Sequence, residues 1–189
     1  PVKTVGELIA HAKANPNQIS FGSAGAGTDT HLAGELFKTM TGTTMVHVPY
    51  KGGAPAMLDL IAGRVQLSFA SVATTVGYIQ SGKLHAIAMT GSKRFEGLPN
   101  IPTISESGVP GYEINNWYGV FVPAGTPGDI IQRINAETIK AVQKPEVRAR
   151  LIAVGLEPVW SSPAEFSAYV RSETAKWGKI VRDSGATAE

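Results

Sequence analysis

The residues whose types and spacing could do chemistry concentrate between Phe21 and Thr30, where Gly22-Ser-Ala-Gly-Ala-Gly27 runs into Thr28-Asp29-Thr30. Glycine lets a backbone bend sharply and approach a ligand closely. The first amides of a following helix aim unpaired N–H groups and a positive dipole end at the same place. Ser23, Ala24, Gly25, Ala26, Gly27, Thr28 and Thr30 therefore form a candidate anion pocket built from oriented donors, three of them hydroxyls. The same stretch also reads as a tight strand-to-helix connection with a capped helix, and spacing alone does not separate the two. Sharper readings fail. A dinucleotide fingerprint counted from Gly25 and Gly27 needs a glycine where Thr30 stands, and the Gly-Lys-Ser/Thr ending of a phosphate loop is absent. A nucleophile elbow needs glycines two residues to either side of its serine, whereas Ser23 has Gly22 beside it.

Two further junctions have the same character. In Val48-Pro-Tyr-Lys-Gly-Gly53, Tyr50 could bond or pack on a ligand and Lys51 could attract an anion, or the loop is a surface turn with a solvated lysine. Phe69-Ala-Ser-Val-Ala-Thr74 places Ser71 and Thr74 at the next strand end. Asn116-Trp117-Tyr118-Gly119 sets two aromatics beside an amide, so that Trp117 is either core or a cleft wall. The four histidines, His11, His31, His47 and His85, show no metal-ligand spacing and no acid placed to orient them. They read as structural or solvent-facing. No catalytic residue, metal site or cofactor is expected. Asp29 reads as a helix-start residue that can also shape a pocket rim.

The elements that must position these residues alternate. Helices are expected over 4–14, 28–40, 54–62 and 72–80, with strands at 19–21, 45–48, 65–70 and 84–89 between them. Short connections of this kind imply right-handed βαβ units and a mostly parallel sheet. In an open parallel sheet, ligands sit beyond the carboxyl ends of the strands, where all three junctions converge. Residues 91–111 are rich in Gly, Pro and Ser, and 117–123 read as a buried strand. Helices follow at about 127–142, 145–153 and 163–184, the second opened by Pro145 and the last by a Ser162/Glu165 capping box.

Composition narrows the class. The 189 residues carry 17 Lys+Arg against 15 Asp+Glu, a net charge of +2, 43% hydrophobic residues and no Cys. That describes a folded globular chain with a core of its own. The charge balance is too even for an electrostatic nucleic-acid footprint. Without cysteine there are no disulfides, thiolate metal sites or cysteine nucleophiles. No targeting segment is visible at Pro1, and no apolar run is long enough to span a bilayer.

Several motifs in fixed order resemble the Bug family, the extracytoplasmic solute-binding receptors of tripartite tricarboxylate transporters. They are Phe21 to Phe37, His47-Val-Pro-Tyr-Lys-Gly52, Leu98-Pro-Asn-Ile-Pro-Thr103, Glu106-Ser-Gly-Val-Pro-Gly111, Trp117-Tyr-Gly119, Pro123-Ala-Gly-Thr-Pro127 and Pro145-Glu-Val-Arg148. The resemblance implies an α/β, periplasmic-binding-protein type II-like fold and a two-lobed receptor in the periplasm of a Gram-negative bacterium. Such a receptor closes on a small carboxylate (a di- or tricarboxylate, an acidic amino acid or an aromatic acid) and hands it to membrane permease subunits. It implies that backbone amides, hydroxyls and ordered waters hold the ligand carboxylate, with the 22–30 turn, the Ser71 region and the strand near Trp117 contributing.

Family members carry a further N-terminal segment, so residues 1–117 are expected to form the second, ligand-binding lobe and 118–189 the C-terminal helical share of the first. Truncation at Pro1 would leave half a site and exposed apolar surface prone to self-association. Two other readings of the same residues stay open at this stage. One is an enzyme binding a phosphorylated or nucleotide ligand at the glycine-rich turn; the other is a non-catalytic interaction fragment.

Overall fold

Local signals set most helix boundaries. Thr4 caps α1 (Val5–Ala14): its hydroxyl accepts from the Glu7 amide while Glu7 bonds back to the Thr4 amide, a complete capping box. Chain order continues with β1 (Ser20–Ser23), α2 (Asp29–Thr41), β2 (Val46–Pro49), α3 (Gly53–Ile61), β3 (Leu67–Ser68) and α4 (Val72–Gln80). After a long irregular stretch come α5 (Gly128–Gln143), α6 (Pro145–Ala153) and α7 (Pro163–Ser184). Gly42 ends α2 in the left-handed conformation at φ 62°, a geometry that favours glycine. This computed structural model describes residues 2–184, with side chains to 182; Pro1 and the last five residues of the expected 118–189 portion lie outside it.

The three strands form one parallel sheet in the order β2-β1-β3, with Phe21 level with His47 on one side and Leu67 on the other. The expected α/β architecture with a parallel sheet is therefore present. Chain order reverses at β1, so the loops leaving β1 and β3 part from each other and open a crevice at the carboxyl ends of the strands. The core lies around Phe21, Phe37, Phe69 and Tyr112, with α1 contributing Val5, Leu8 and Ala12 and α7 contributing Ile180. The Tyr112 hydroxyl, fully buried, donates to the Ala33 carbonyl at 2.9 Å and fastens the irregular stretch to α2.

Three expectations need correction. The strand expected at 65–70 shrinks to Leu67–Ser68. The strand expected at 84–89 does not form; a single parallel bridge joins Met89 to Thr103, held by Met89 N–H to Pro102 O and Ile104 N–H to Met89 O. Residues 117–123 are neither strand nor buried: Tyr118, Val120 and Phe121 are 72%, 63% and 65% exposed. An apolar run becomes a strand only where a neighbouring backbone pairs with it. Among the described residues no backbone pairs with this run, and Phe121 packs its ring on that of Phe166, with centroids 5.4 Å apart. In the same region α5 and α6 bury no residue.

Candidate functional site

The glycine-rich turn folds largely on itself. Gly25 and Gly27 take φ of 140° and 73°, which L side chains rarely adopt, so both positions require glycine. The Gly25 carbonyl accepts from Thr28 Oγ1 at 2.7 Å, and the Ala24 amide donates to Thr30 Oγ1 at 2.9 Å. The Gly27 amide donates to His31 Nδ1 at 3.0 Å. Beneath the turn, Ser23 is only 1% exposed; its hydroxyl accepts from the Gly25 amide and lies 2.6 Å from His47 Nε2. The β2–α3 loop braces the turn from the side, with Tyr50 N–H bonded to Ser23 O and Gly52 N–H to Ala24 O.

What the turn leaves open is the start of α2. Leu32 N–H is the first amide to bond back, to Thr28 O, so those of Asp29, Thr30 and His31 have no protein acceptor among the described residues. At α4 the first returning amide is Thr74, bonded to Ser71 O, which leaves those of Val72 and Ala73 open. A pocket of about 170 Å³ lies where these helix starts meet that of α3. It is lined by Ala24, Asp29 and Thr30 from the first junction, Gly53, Ala56 and Met57 from α3, and Ser68, Ala70, Ser71 and Thr74 from the third, closed by Asn116 and Tyr118. Three positive helix ends thus face a cavity lined by no Lys or Arg. Its one lining carboxylate, Asp29, accepts from Asn116 Nδ2. The pocket opens beside a wide groove of about 1260 Å³ that Trp117, Phe166 and Tyr169 help to line.

Of the residues singled out from the sequence, Ala24, Asp29, Thr30, Ser71 and Thr74 line this pocket, and Trp117 lines the groove beside it. Gly25, Ala26, Gly27 and Thr28 form the turn that holds the start of α2, and Ser23 lies beneath it. Tyr50 does not line the pocket: its hydroxyl donates to Asp59 Oδ2 at 2.8 Å, and Arg64 holds the other carboxylate oxygen at 2.6 Å. Those bonds keep the Asp59 pKa below its usual range. Ser68, Met57 and Asn116 also line the pocket without having been expected there; only Asn116, beside two aromatics, carried any signal.

The histidines likewise form an arrangement that the sequence did not reveal. The His31 and His47 rings stack with centroids 3.8 Å apart and planes 11° from parallel, above the Phe21 ring. Burial lowers the pKa of His31 against the pull of Glu35, and burial together with His31 lowers that of His47 to about 4. Among the described residues no group of three or more His, Asp or Glu is placed to hold a metal ion. No described helix is long and apolar enough to cross a membrane.

A family model described as "Tripartite tricarboxylate transporter family receptor" matches residues 1–186. The chain belongs to this family. A protein from the tcbD-tcbE intergenic region of Pseudomonas sp. (strain P51) is 38% identical over 180 residues, covering 95% of this chain and 54% of its own length. An R. palustris protein solved with adipate superposes with a TM-score of 0.91 at 36% identity, over all of this chain and 63% of its own. The periplasmic binding protein BugD superposes with a TM-score of 0.80 at 30% identity, over 100% of this chain and 64% of its own. The chain thus spans about half the length of the Pseudomonas relative and under two thirds of the two solved chains.

Proposed function

We propose that this family receptor is an extracytoplasmic, periplasmic solute-binding protein that captures a small carboxylate and delivers it to the permease of a tripartite tricarboxylate transporter. The observation that carries the reading is the pocket at which three helix starts meet, with open amides at Asp29 and Thr30 on its wall and no basic side chain in its lining. A carboxylate accepts from such amides at full charge, and the Thr30, Ser71 and Thr74 hydroxyls add donors. Binding of this kind needs donors and no base. The adipate bound to the R. palustris relative supports a dicarboxylate class. Residues 1–117 form the ligand-binding lobe in this reading, with 118–189 the C-terminal share of the other lobe and Trp117 at the cleft wall between them.

A thermal-shift panel of adipate, malate, citrate, glutamate, benzoate and AMP tests the proposal. A bound carboxylate at a hundredfold excess over Kd stabilises by about 2.7 kcal/mol. A rise in Tm with one or more carboxylates and none with AMP is the expected result; stabilisation by AMP alone would point to the nucleotide reading instead.

A further inference from the structure

The stacked imidazoles of His31 and His47 do not line the pocket just described, yet they touch the glycine-rich turn at two points. His31 Nδ1 accepts the Gly27 amide hydrogen at 3.0 Å, so this nitrogen carries no proton and the ring is the neutral Nε2–H tautomer. His47 Nε2 lies 2.6 Å from Ser23 Oγ, the same oxygen that accepts from the Gly25 amide at 3.1 Å. The glycine-rich turn therefore hangs on two imidazoles. Ser23 is buried and lines neither the pocket nor the groove, so Ser23 and His47 are not a nucleophile and its base.

We infer that His31 and His47 are positioning residues for the 24–28 turn, and that protonating His31 breaks the Gly27 bond and loosens the carboxylate site. The inference rests on the reading of that site given above. Adding a proton at His31 Nδ1 sets one N–H donor against another, and only movement of the turn relieves the contact. A neutral pair also suits the surroundings. On α2, Glu35 Oε1 lies 3.6 Å from His31 Nε2 but is already held by Lys38 at 2.8 Å; on β1, Phe21 and Ser23 face the rings; on β2, His47 itself lies over His31. Two stacked imidazolium ions would repel each other in a site that burial already makes hostile to charge. The predicted consequence is release of ligand in acid.

The test is adipate affinity between pH 7.5 and pH 4.5 for the unaltered protein and two variants, with circular dichroism to follow the fold. The double variant His31→Asn, His47→Gln keeps acceptors near the Nδ1 and Nε2 positions and removes both titrations; His31→Phe removes the acceptor. Titration of adipate itself is common to all three. The unaltered protein is expected to lose affinity at least tenfold more than the double variant over this range. His31→Phe should bind at least tenfold more weakly at pH 7.5. Equal acid loss in the unaltered protein and the double variant would overturn the inference. Should adipate bind to none of them, the site reading fails at that point, and the Gly27 amide resonance decides the positioning role by itself. It should move with pH in the unaltered protein and stay fixed in the double variant; a resonance unmoved in both refutes the role.

Discussion

Asn116 donates a side-chain hydrogen to the Asp29 carboxylate, joining the first residue of α2 to a residue 87 positions further along the chain. The carboxylate complements the α2 dipole, yet it also sets a negative charge on the lining of the proposed anion pocket. Replacing Asp29 with Asn removes that charge. At separations of several ångströms and partial screening this is worth about 1–2 kcal/mol of ligand binding. D29N is expected to bind adipate roughly five- to thirtyfold more tightly while losing about 0.5 kcal/mol of stability as the helix start loses its anion. Calorimetric titration beside denaturant unfolding checks both halves; weaker binding by D29N would show that Asp29 contacts the ligand as an acceptor.

Gly34 lets α2 lie directly on Phe21. A Cβ at this position would stand 2.4 Å from Phe21 Cε2, and the Phe21 ring is fully buried between His47 and Phe69. Gly34→Ala would gain about 1 kcal/mol of helix propensity, but overpacking outweighs it, for a net loss of about 1–3 kcal/mol. Thermal unfolding should show a Tm lowered by roughly 5 °C. An unchanged or raised Tm would mean that the α2–β1 contact is looser than described.

Tyr112 is the buried fastener between the irregular stretch and α2. Tyr112→Phe keeps the ring and loses the 2.9 Å bond to Ala33 O, at a cost of about 1 kcal/mol in urea unfolding. Burial also raises the Tyr112 pKa above its ordinary value of 10. A raised folded-state value means that stability is whole below about pH 10 and falls as pH rises beyond it. The Phe variant should lose less stability than the unaltered protein between pH 9 and pH 11.

Acid acts on the histidine pair in the opposite sense. The folded-state pKa values of His31 and His47 lie below their ordinary 6.5, that of His47 near 4, so the unfolded chain takes up protons first as pH falls. Stability is whole above about pH 6.5 and declines from there toward pH 4. Glu7, Glu106 and Glu165, whose pKa values are lowered chiefly by backbone hydrogen bonds, add their own losses only below their ordinary value of 4.5. Urea midpoints measured at half-unit intervals should therefore already fall between pH 6.5 and pH 5. In the His31→Asn, His47→Gln protein that upper segment should be flat.

How much of this was legible in the sequence depends on the range of the interaction. Thr4 with Glu7, Pro145, Gly42, and Ser162 with Glu165 act within one helical turn, and each sets the boundary its residue type predicts. The Gly25 and Gly27 bends were equally readable. The His31–His47 stack was not, because it depends on β1 and β2 pairing with Phe21 level with His47. The Tyr50 hydroxyl bond to Asp59, nine residues on, likewise had no local signal, because it depends on how the β2–α3 loop lies on α3. The apolar run at 117–123 declares that it can be buried, not that anything pairs with it. The Met89–Thr103 bridge shows the same limit for 84–89.

The most direct test of the central claim, that open helix-start amides hold a carboxylate, is an amide NMR titration of the chain with adipate. The largest shifts are expected at Asp29 and Thr30, with smaller ones at Ser71 and Thr74. Shifts confined to α5–α7, or saturable binding that leaves the Asp29 and Thr30 amides unmoved, would contradict it.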